Sequence, residues 1–480
     1  MEKLKLDLHT NIKNIQNLNG NSGDMSIRYN QVGETEVATI FLESTSSSDT
    51  ISNFITRSIV DKKNIFDSIF NHFKNDLYNC KLVTSDKYED IWHLLASGYA
   101  IVLIDNCDKS ICLETKADLD RGISESTTEP VIRSSKDSLT ENHNKNIGLI
   151  RKRIKDHNLW FKDVTVGKRT TTKVSVGYLN DVANKKGIKM TIDKLKNINI
   201  DGIIDSGYVK EYLSQQNSTF PTIISTERPD LICQALLQGK IVVLVENSPF
   251  ALIIPGLLTN YLHSPEDYTQ SASNVNFTRA LRLIAFLSTL FLPALYIATI
   301  NFNQEIIPGK LLLSAAVQRE GVPFPAAFEV IFLSIVFEIL REVDIRKPST
   351  MGTAISIVGA LVLGDAAVTA GFVSPIAVIV VALTSICGLL FSDIDFINAI
   401  RWWRFYFIIG AVTLGIVGII FVLLLLIIKL SDLRSTGIDY LSQVTTPNLK
   451  DQKDGLFRVP WPKLTSRPSY LKVNDVIRQR

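Results

Sequence analysis

The feature that most constrains the fold is a series of long apolar runs between residues 283 and 428. A helix that crosses the ~30 Å hydrocarbon core of a bilayer needs about 17–25 mostly apolar residues. Five segments meet this requirement: Leu283–Ile300, Phe324–Leu340, Gly352–Val373, Pro375–Phe391 and Phe405–Ile428. The runs therefore predict an α-helical transmembrane bundle of about five helices over residues 279–430. A sixth stretch, Ile306–Val317, is too short to cross and is expected to be re-entrant or interfacial.

The chain outside these runs is polar, and the cysteine pattern of the whole chain suits a reducing compartment. Its net charge is only +3, so no global field favours nucleic acid as a partner. The five cysteines include no C-x-x-C pair, which argues against a disulfide framework or a zinc site. Residues 1–16 lack the apolar core of a signal peptide. We therefore expect the N-terminal half to stay in the cytosol.

The polar N-terminal half contains a repeat. Residues 82–112 match residues 223–253 at a constant offset of 141, most clearly where Gly98–Asn106 (GYAIVLIDN) aligns with Gly239–Asn247 (GKIVVLVEN). In each copy a short strand leads to a helix that stops at the glycine, and a continuous β-rich run follows. Such an unbroken apolar run is typical of a strand covered on both faces. The repeat predicts two related α/β subdomains.

These patterns divide the polar half into three parts. Residues 1–25, which are Asn-rich and lack lasting periodicity, are predicted to be disordered. Residues 26–125 and 126–278 are predicted to form the two α/β subdomains, the second with a basic helix over 142–155 and a hairpin over 164–179. The expected fold is a soluble α/β N-terminal half followed by an α-helical transmembrane bundle and a polar, basic tail, residues 431–480.

The third apolar run carries features that suggest more than anchoring. Small residues recur every four positions along one helix stripe: Gly352, Ser356, Ala360 and Gly364. Such a stripe either lets helices pack closely in lipid or faces a pore, and both interpretations stay open. Asp365 lies beside the stripe, roughly 20 Å into the run at the standard helical rise. A carboxylate at that depth is either a functional site or a protonated or hydrogen-bonded structural group.

Charges near the other runs bear on pairing and orientation. Glu338 lies one turn before Arg341, so these two are predicted to form an ion pair. Arg279 and Arg282 precede the first run, which agrees with the positive-inside rule if the N-terminal half is cytosolic. Five spans would place the basic tail outside, against the same rule. The number of spans, five or six, and the side of the tail therefore stay open.

A set of ordered motifs carries a family resemblance. They are Glu129–Arg133, Asn146–Arg151, Phe220–Asp230, Ser264–Tyr268, Leu292–Tyr296, Gln318–Pro325, Phe337–Glu342, Gly359–Gly364 and Ala370–Pro375. Together they resemble the A subunit of spore germinant receptors, the GerA family, over roughly residues 30–430.

The resemblance implies a multi-pass subunit of a nutrient-responsive receptor in the spore inner membrane. It implies a transporter-like B subunit and a lipoprotein C subunit as partners, and ion release as the response that triggers germination. It further implies a homo-oligomer that forms a nutrient-gated cation pathway. The small-residue stripe and Asp365, identified above from the residue pattern, are the pore or gating candidates, and Asp365 stands where the resemblance leads us to expect an uncharged polar residue. The alternative is a non-conducting scaffold for the transporter-like subunit. The sequence does not identify the nutrient or show whether this chain binds it.

The residue patterns do not favour an enzyme. The sequence offers no nucleophile–base pair, metal cluster or phosphate loop, so neither a cofactor nor a metal is expected. The motif formed by Thr226, Glu227, Arg228, Pro229 and Asp230 could suggest acid chemistry. Its place between a strand and a helix favours capping and an ion pair instead.

Overall fold

The computed structural model describes residues 3–56, 81–118, 135–216, 218–346, 364–445 and 451–479, together with residues 70 and 129. Within these ranges the N-terminal half is α/β and the C-terminal half is helical. The predicted boundary between the two subdomains, at residues 125 and 126, lies outside the described residues.

The first subdomain is built on a five-stranded antiparallel sheet. Its strands are β1 Met25–Val32, β2 Thr35–Leu42, β3 Leu82–Ser85, β4 Tyr99–Ile104 and β5 Ser110–Glu114. They lie in the order β1-β2-β4-β5-β3, which puts β4 at the centre. Every residue of β4 is buried, with Ile101 and Leu103 in one apolar cluster and Val102 and Ile104 in another. The strand is continuously apolar because both of its faces are covered.

The second subdomain repeats this arrangement. Its strands are β6 Leu159–Val166, β7 Thr172–Leu179, β8 Ile224–Thr226, β9 Ile241–Val245 and β10 Ala251–Ile254. Their order, β6-β7-β9-β10-β8, makes β9 the equivalent of β4. All of β9 is buried between two apolar clusters. The prediction of two related α/β subdomains is confirmed, as is the hairpin predicted over residues 164–179, which begins at Leu159.

Six α-helices of at least two turns are described in the α/β half. They are α1 Leu8–Leu18, α2 Tyr88–Ala96, α3 His143–Arg153, α4 Lys185–Lys196, α5 Ser206–Leu213 and α6 Pro229–Leu237. The predicted basic helix corresponds to α3, which Asn142 caps by accepting from the Lys145 amide at 3.0 Å. The helices α2 and α6 occupy equivalent places before β4 and β9, as the repeat predicts.

The N-terminal segment is ordered, so the prediction of disorder over residues 1–25 is wrong. Asp7 caps α1, and its carboxylate accepts from the Thr10 amide at 2.9 Å. Leu8, Ile12 and Ile15 of α1 are buried in the apolar cluster beside β4. These three side chains recur at helical spacing, which is enough to dock the helix although the surrounding composition is polar.

The C-terminal half consists of helices packed around one apolar cluster. They are α7 Ala272–Asn301, α8 Gly309–Arg319, α9 Ala326–Arg346, α10 Pro375–Gly388, α11 Ile394–Leu414 and α12 Ile416–Asp432, with a further helical segment at residues 364–369. By length and composition, one helix among the described residues, α7, could cross a membrane. The helices α7, α9 and α10 overlap the first, second and fourth predicted spans but differ from them in their ends. Residues 352–363 of the third lie outside the described part of the chain.

The fifth predicted span, Phe405–Ile428, is wrong as a single helix. Gly415 breaks it with φ +61°, so α11 ends at Leu414 and α12 begins at Ile416. The two helices pack closely against each other, since a Cβ on Gly418 would collide with the carbonyl of Gly410. Gly415 therefore allows the turn, and Gly410 and Gly418 allow the close contact between the two helix backbones.

The tail that follows α12 returns to the α/β half. Ser435 donates to the Thr222 carbonyl at 2.7 Å, and Arg467 Nε donates to the Leu237 carbonyl at 2.9 Å. Further along, the Asn474 side chain donates to the Ala183 carbonyl at 3.0 Å. The tail is thus a structural part of the second subdomain.

Candidate functional site

The junction between the α/β half and the helices centres on one buried carboxylate. Asp267 lies just before α7, in a short 3-10 helix over Pro265–Tyr268. Arg279 Nε and both terminal nitrogens of Arg282 contact its oxygens at 2.9 Å. Burial alone would raise the pKa of Asp267, but the hydrogen bonds and charges of the two arginines outweigh burial and hold the pKa below its usual value. The carboxylate therefore stays ionised and fixes the direction in which α7 leaves the domain.

The C-terminal tail closes this junction from the other side. Arg279 also contacts Asp454 at 3.1 Å and donates to the Gly455 carbonyl at 2.9 Å. Arg458 donates to the Asp267 carbonyl, and the Tyr268 hydroxyl donates to Asp454 at 3.1 Å. One network thus joins the second subdomain, the first long helix and the tail. We call these residues, Asp267, Tyr268, Arg279, Arg282, Asp454 and Arg458, the junction network.

A small cavity lies beside the junction network, between α6 and the start of the helical half. Its volume is about 100 Å³, and its lining includes Glu129, Lys240, Asn260 and His263. Lys240 is buried and donates to the Asn260 side chain at 2.8 Å, and burial lowers the pKa of Lys240 to about 7. Burial also raises the pKa of Glu129 to about 7. Two oppositely charged groups that titrate near neutral pH therefore face one cavity.

The motif of Thr226 to Asp230 forms the predicted ion pair, but the predicted capping is absent, because Arg228, the N-cap residue of α6, makes no side-chain capping hydrogen bond. Arg228 and Asp230 form an ion pair at 2.7 Å, Pro229 is the first residue of α6, and Thr226 Oγ1 accepts from the Arg228 amide at 3.1 Å. The buried Arg228 also donates to the carbonyls of Glu129 and Ser135. The Glu227 carbonyl accepts from the Leu139 amide at 2.7 Å. The motif thus anchors the segment that enters the second subdomain.

A second buried carboxylate, Glu329, organises one end of the helical half. It accepts from the amide and the hydroxyl of Ser374, at 2.7 and 2.6 Å. Arg319 Nε contacts its other oxygen at 3.3 Å. Ser374 is the N-cap of α10, so Glu329 ties α9 to the start of α10 and to the end of α8. Glu329 lies within the second predicted span, and its contacts explain how a charged residue is accommodated there.

Glu338 has different partners from those predicted. It forms ion pairs with Arg401 and with Arg404, the latter at 2.5 Å, both on α11. Arg341, the predicted partner, is not one of them. The spacing along α9 allowed a local pair, but the packing of α9 against α11 brings two arginines to the same carboxylate. Sequence spacing gives no sign of this tertiary contact.

The predicted pathway residues are described only in part. Gly352, Ser356 and Ala360 lie outside the described residues. Gly364 and Asp365 belong to the helical segment at residues 364–369, where Asp365 is exposed and Gly364 is partly buried. Asp365 therefore lies about one turn before the described end of this helix. The described helix thus ends closer to Asp365 than the predicted span did, because that span was expected to continue to Val373.

Comparison with known proteins gives a consistent family. The model of the family described as "Bacillus/Clostridium GerA spore germination protein" matches residues 13–470. The chain is similar to spore germination protein KA of Bacillus subtilis, with 35% identity over 96% of this chain and 86% of the relative. It is also similar to the uncharacterized membrane protein YfkQ of Bacillus subtilis, with 36% identity over 78% of this chain and 73% of the relative.

The chain is also similar to a solved structure. It is the crystal structure of the N-terminal domain of the A subunit of the Bacillus megaterium spore germinant receptor GerK3. The similarity has 28% identity and a TM-score of 0.44, and it covers 54% of this chain and 98% of that chain.

Proposed function

The chain belongs to the GerA family of spore germination proteins, and we propose that it is the A subunit of a nutrient-responsive germination receptor and not an enzyme. The family match extends over both the α/β half and the helical half. Because the match is this long, the role is proposed for the whole chain. A transporter-like subunit and a lipoprotein subunit are the proposed partners.

We place the helical half in a membrane. Large apolar side chains are exposed along α12, among them Ile420, Phe421 and Leu424. Exposure of such an apolar face to water is unfavourable, whereas lipid would cover the face. The helix α7 is long and apolar enough to cross, and one relative is named a membrane protein.

The tail bears on the topology of this membrane half. It is hydrogen-bonded to the second subdomain within the same chain, through residues such as Ser435 and Asn474. Two parts in direct contact lie on the same side of a bilayer, so the number of crossings is even. Arg279 and Arg282 at the start of α7 favour the cytosol as that side. This assignment would remove the conflict that five spans create for the basic tail.

The function itself rests on coupling through the junction network. The buried carboxylate Asp267 binds the first residues of α7 to the second subdomain, and the tail binds both. A movement of the α/β half would therefore be transmitted directly to α7. We propose that this coupling gates a cation pathway formed by several copies of the chain, with the Gly352–Val373 segment beside the pathway.

The exposed carboxylate of Asp365 supports this proposal. In a single chain the side chain is exposed, and lipid is an unfavourable surrounding for the side chain of an acidic residue. Water in a pathway or another copy of the chain would accommodate it, and rings of carboxylates favour cations. A passive scaffold does not need an acid at this position.

Cation flux tests the proposal. We expect Asp365→Asn to change the rate or selectivity of monovalent cation release from spores while the receptor stays assembled, and Ala360→Leu to block release or assembly. Glu305→Gln, which removes another exposed acid of the helical half, is the control and should behave as the parent. Normal release by the Asp365→Asn variant would contradict the role of Asp365. A monomeric purified protein would contradict the shared pathway, and the scaffold function would then be favoured.

A further inference from the structure

A second cavity, of about 540 Å³, lies among the helices α7, α9, α10 and α11. Most of its lining is apolar, but one part carries Glu338, Arg341, Arg401 and Arg404. The volume lies within the range of small-molecule pockets. The cavity thus combines an apolar body with a charged end, an arrangement that suits an amphipathic ligand.

The charged end is positive. Glu338 is the one acid that lines the cavity, and it is shared between Arg401 and Arg404. Arg341 adds a third cation that is not neutralised by this carboxylate. The nearby Glu342 forms its ion pair with Arg346, one turn further along α9. Three guanidinium groups against one carboxylate leave an excess of positive charge where the cavity is polar.

Arg404 also has an unused hydrogen-bond donor. Its side chain is only 6% exposed, one terminal nitrogen contacts Glu338, and its Nε–H has no acceptor among the described residues. An orphaned buried donor of this kind is costly, and an anionic oxygen in the cavity would satisfy it. Glu338 Oε2 at the same end also has no hydrogen-bond donor among the described residues, although Arg401 is within ion-pair distance of it, so the net positive charge of the three arginines carries the preference for an anion.

The position of the cavity distinguishes lipid from other anions. The charged end of the cavity lies on the side of the α/β half. Trp403, next to Arg404, donates to Thr219 of that half at 3.1 Å. Near the start of α11, Asp395 pairs with Lys210 of the same half. Val378 and Ala382 of α10 line the apolar part, lie further from the α/β half and are partly exposed. A molecule in the cavity would thus have its anion at the membrane surface and its apolar part open to the bilayer.

We propose that this cavity binds an anionic phospholipid of the leaflet nearest the α/β half. The phosphate would lie among Arg341, Arg401 and Arg404, and an acyl chain would pass along the apolar lining. Basic pockets between membrane helices recognise anionic headgroups in this way. Because the lipid would touch α7, α9, α10 and α11 together, it would stabilise their packing. The proposal rests on the membrane location proposed above.

Tryptophan quenching tests it. The full chain is reconstituted in phosphatidylcholine vesicles that contain a small fraction of either brominated phosphatidylglycerol or brominated phosphatidylcholine. Trp402 and Trp403 are on α11, whereas the other three of the five tryptophans are in the α/β half and the tail. We expect brominated phosphatidylglycerol to quench more strongly than brominated phosphatidylcholine at equal fraction. Arg341→Gln should weaken this preference about fivefold.

Two further variants complete the test. Lys429→Gln removes an exposed cation of α12 that does not line the cavity, and it should keep the preference. Ala382→Phe fills the apolar part without changing charge, and it should reduce quenching by the anionic lipid. This second cavity variant also keeps the test valid if Arg341→Gln does not fold.

The outcomes separate the site from the proposed membrane location. If the parent fails to float with phosphatidylcholine vesicles, the membrane location is wrong. If it floats and both brominated lipids quench equally, or both cavity variants retain the parent's preference, the lipid site is wrong. Protection of the detergent-solubilised chain by glycerol 3-phosphate without any lipid preference would instead assign the cavity to a soluble phosphate.

Discussion

Asp24 and Arg151 form an ion pair that joins the two α/β subdomains, and both side chains are completely buried. Arg151 Nε and Nη2 contact the two carboxylate oxygens at 2.7 and 2.8 Å, and the hydroxyls of Ser22 and Ser44 donate to the same carboxylate. Burial opposes ionisation of Asp24, but the charge and hydrogen bonds of Arg151 outweigh it and hold the pKa below 3.8. The pair fixes the N-terminal segment against α3.

The first prediction concerns this ion pair. Asp24→Asn leaves a buried arginine without its counter-charge, which typically costs about 3–5 kcal/mol. We expect the free energy of unfolding at pH 7 to fall by about that amount, measured by denaturant titration of the purified chain. Asp201→Asn is the control, because Asp201 and Arg169 form a pair that is 78% and 84% exposed. Such surface pairs contribute about 0–1 kcal/mol.

The pH dependence gives a second readout of the same pair. A carboxylate whose pKa is lowered by folding stabilises the protein above its unfolded pKa, 3.8 for this group, and that contribution is lost as the pH falls further. The difference in stability between the parent and Asp24→Asn should therefore shrink below about pH 4. If Asp24→Asn were as stable as Asp201→Asn at pH 7, the role assigned to the Asp24–Arg151 pair would be contradicted.

The repeat could be predicted from sequence because it has a local cause. Gly98 and Gly239 both have left-handed backbone, φ +87° and +91°, and so do Asn106 and Asn247, φ +58° and +63°. Glycine and asparagine are the residues that adopt this conformation most easily. The matched residues at an offset of 141 thus mark the turns before and after each central strand. A local requirement of this kind is visible in the residue types themselves.

The other features depend on contacts that residue types do not reveal. Gly415 lies in an apolar run whose composition also suits a straight span, and the turn depends on the close approach of Gly410 and Gly418. Glu338 has a cation one turn away along its own helix, yet it pairs with Arg401 and Arg404 of another. In both places tertiary packing decides between alternatives that the local sequence leaves nearly equal.

The second prediction concerns the turn at Gly239. Its φ is +91°, and a Cβ there would lie 2.5 Å from Cγ1 of Val473 in the tail. Gly239→Ala should therefore strain the backbone and also push the tail away. We expect limited proteolysis to remove the tail faster than in the parent. Gly33→Ala is the control, because Gly33 has φ +62° but nothing within 4 Å of the added Cβ. Equal protection of the tail in both variants would contradict the contact.

The third prediction concerns Lys240. Burial lowers its pKa from 10.5 to about 7, so between these two pH values the unfolded chain binds a proton that the folded chain does not. The penalty for burying Lys240 is complete below about pH 7 and disappears as the pH rises toward 10.5. Lys240→Met should therefore raise the free energy of unfolding at pH 7 by about 1–3 kcal/mol, after the loss of the Asn260 contact. The gain should diminish toward pH 10.

A surface lysine provides the comparison for this measurement. Lys186→Met on α4 replaces an exposed side chain, and its effect should stay within about 0.5 kcal/mol at every pH. Thermal unfolding of the three proteins over pH 6–10 distinguishes the cases. A gain that does not change with pH would show that apolar packing, and not the removal of a buried amine, stabilises the Met variant.

The fourth prediction concerns the junction network. Asp267→Asn removes the carboxylate that Arg279 and Arg282 share, and Arg279 then keeps Asp454 and the Gly455 carbonyl as partners. We expect two effects, because the same carboxylate holds α7 and supports the site where Arg458 of the tail binds. The tail should become sensitive to protease, and spores should release cations slowly in response to nutrient even where the subunit is present at the normal level.

Comparison of two milder variants separates coupling from folding. Tyr268→Phe removes one hydrogen bond to Asp454 and leaves the arginines paired, so it should slow release less than Asp267→Asn does. Asp439→Asn breaks an exposed ion pair with Arg434 in the same tail, and it should release cations as the parent does. If Asp267→Asn were present at the normal level and released cations at the parental rate, the junction would only hold the chain together, and the signal would have to reach the helices by another route.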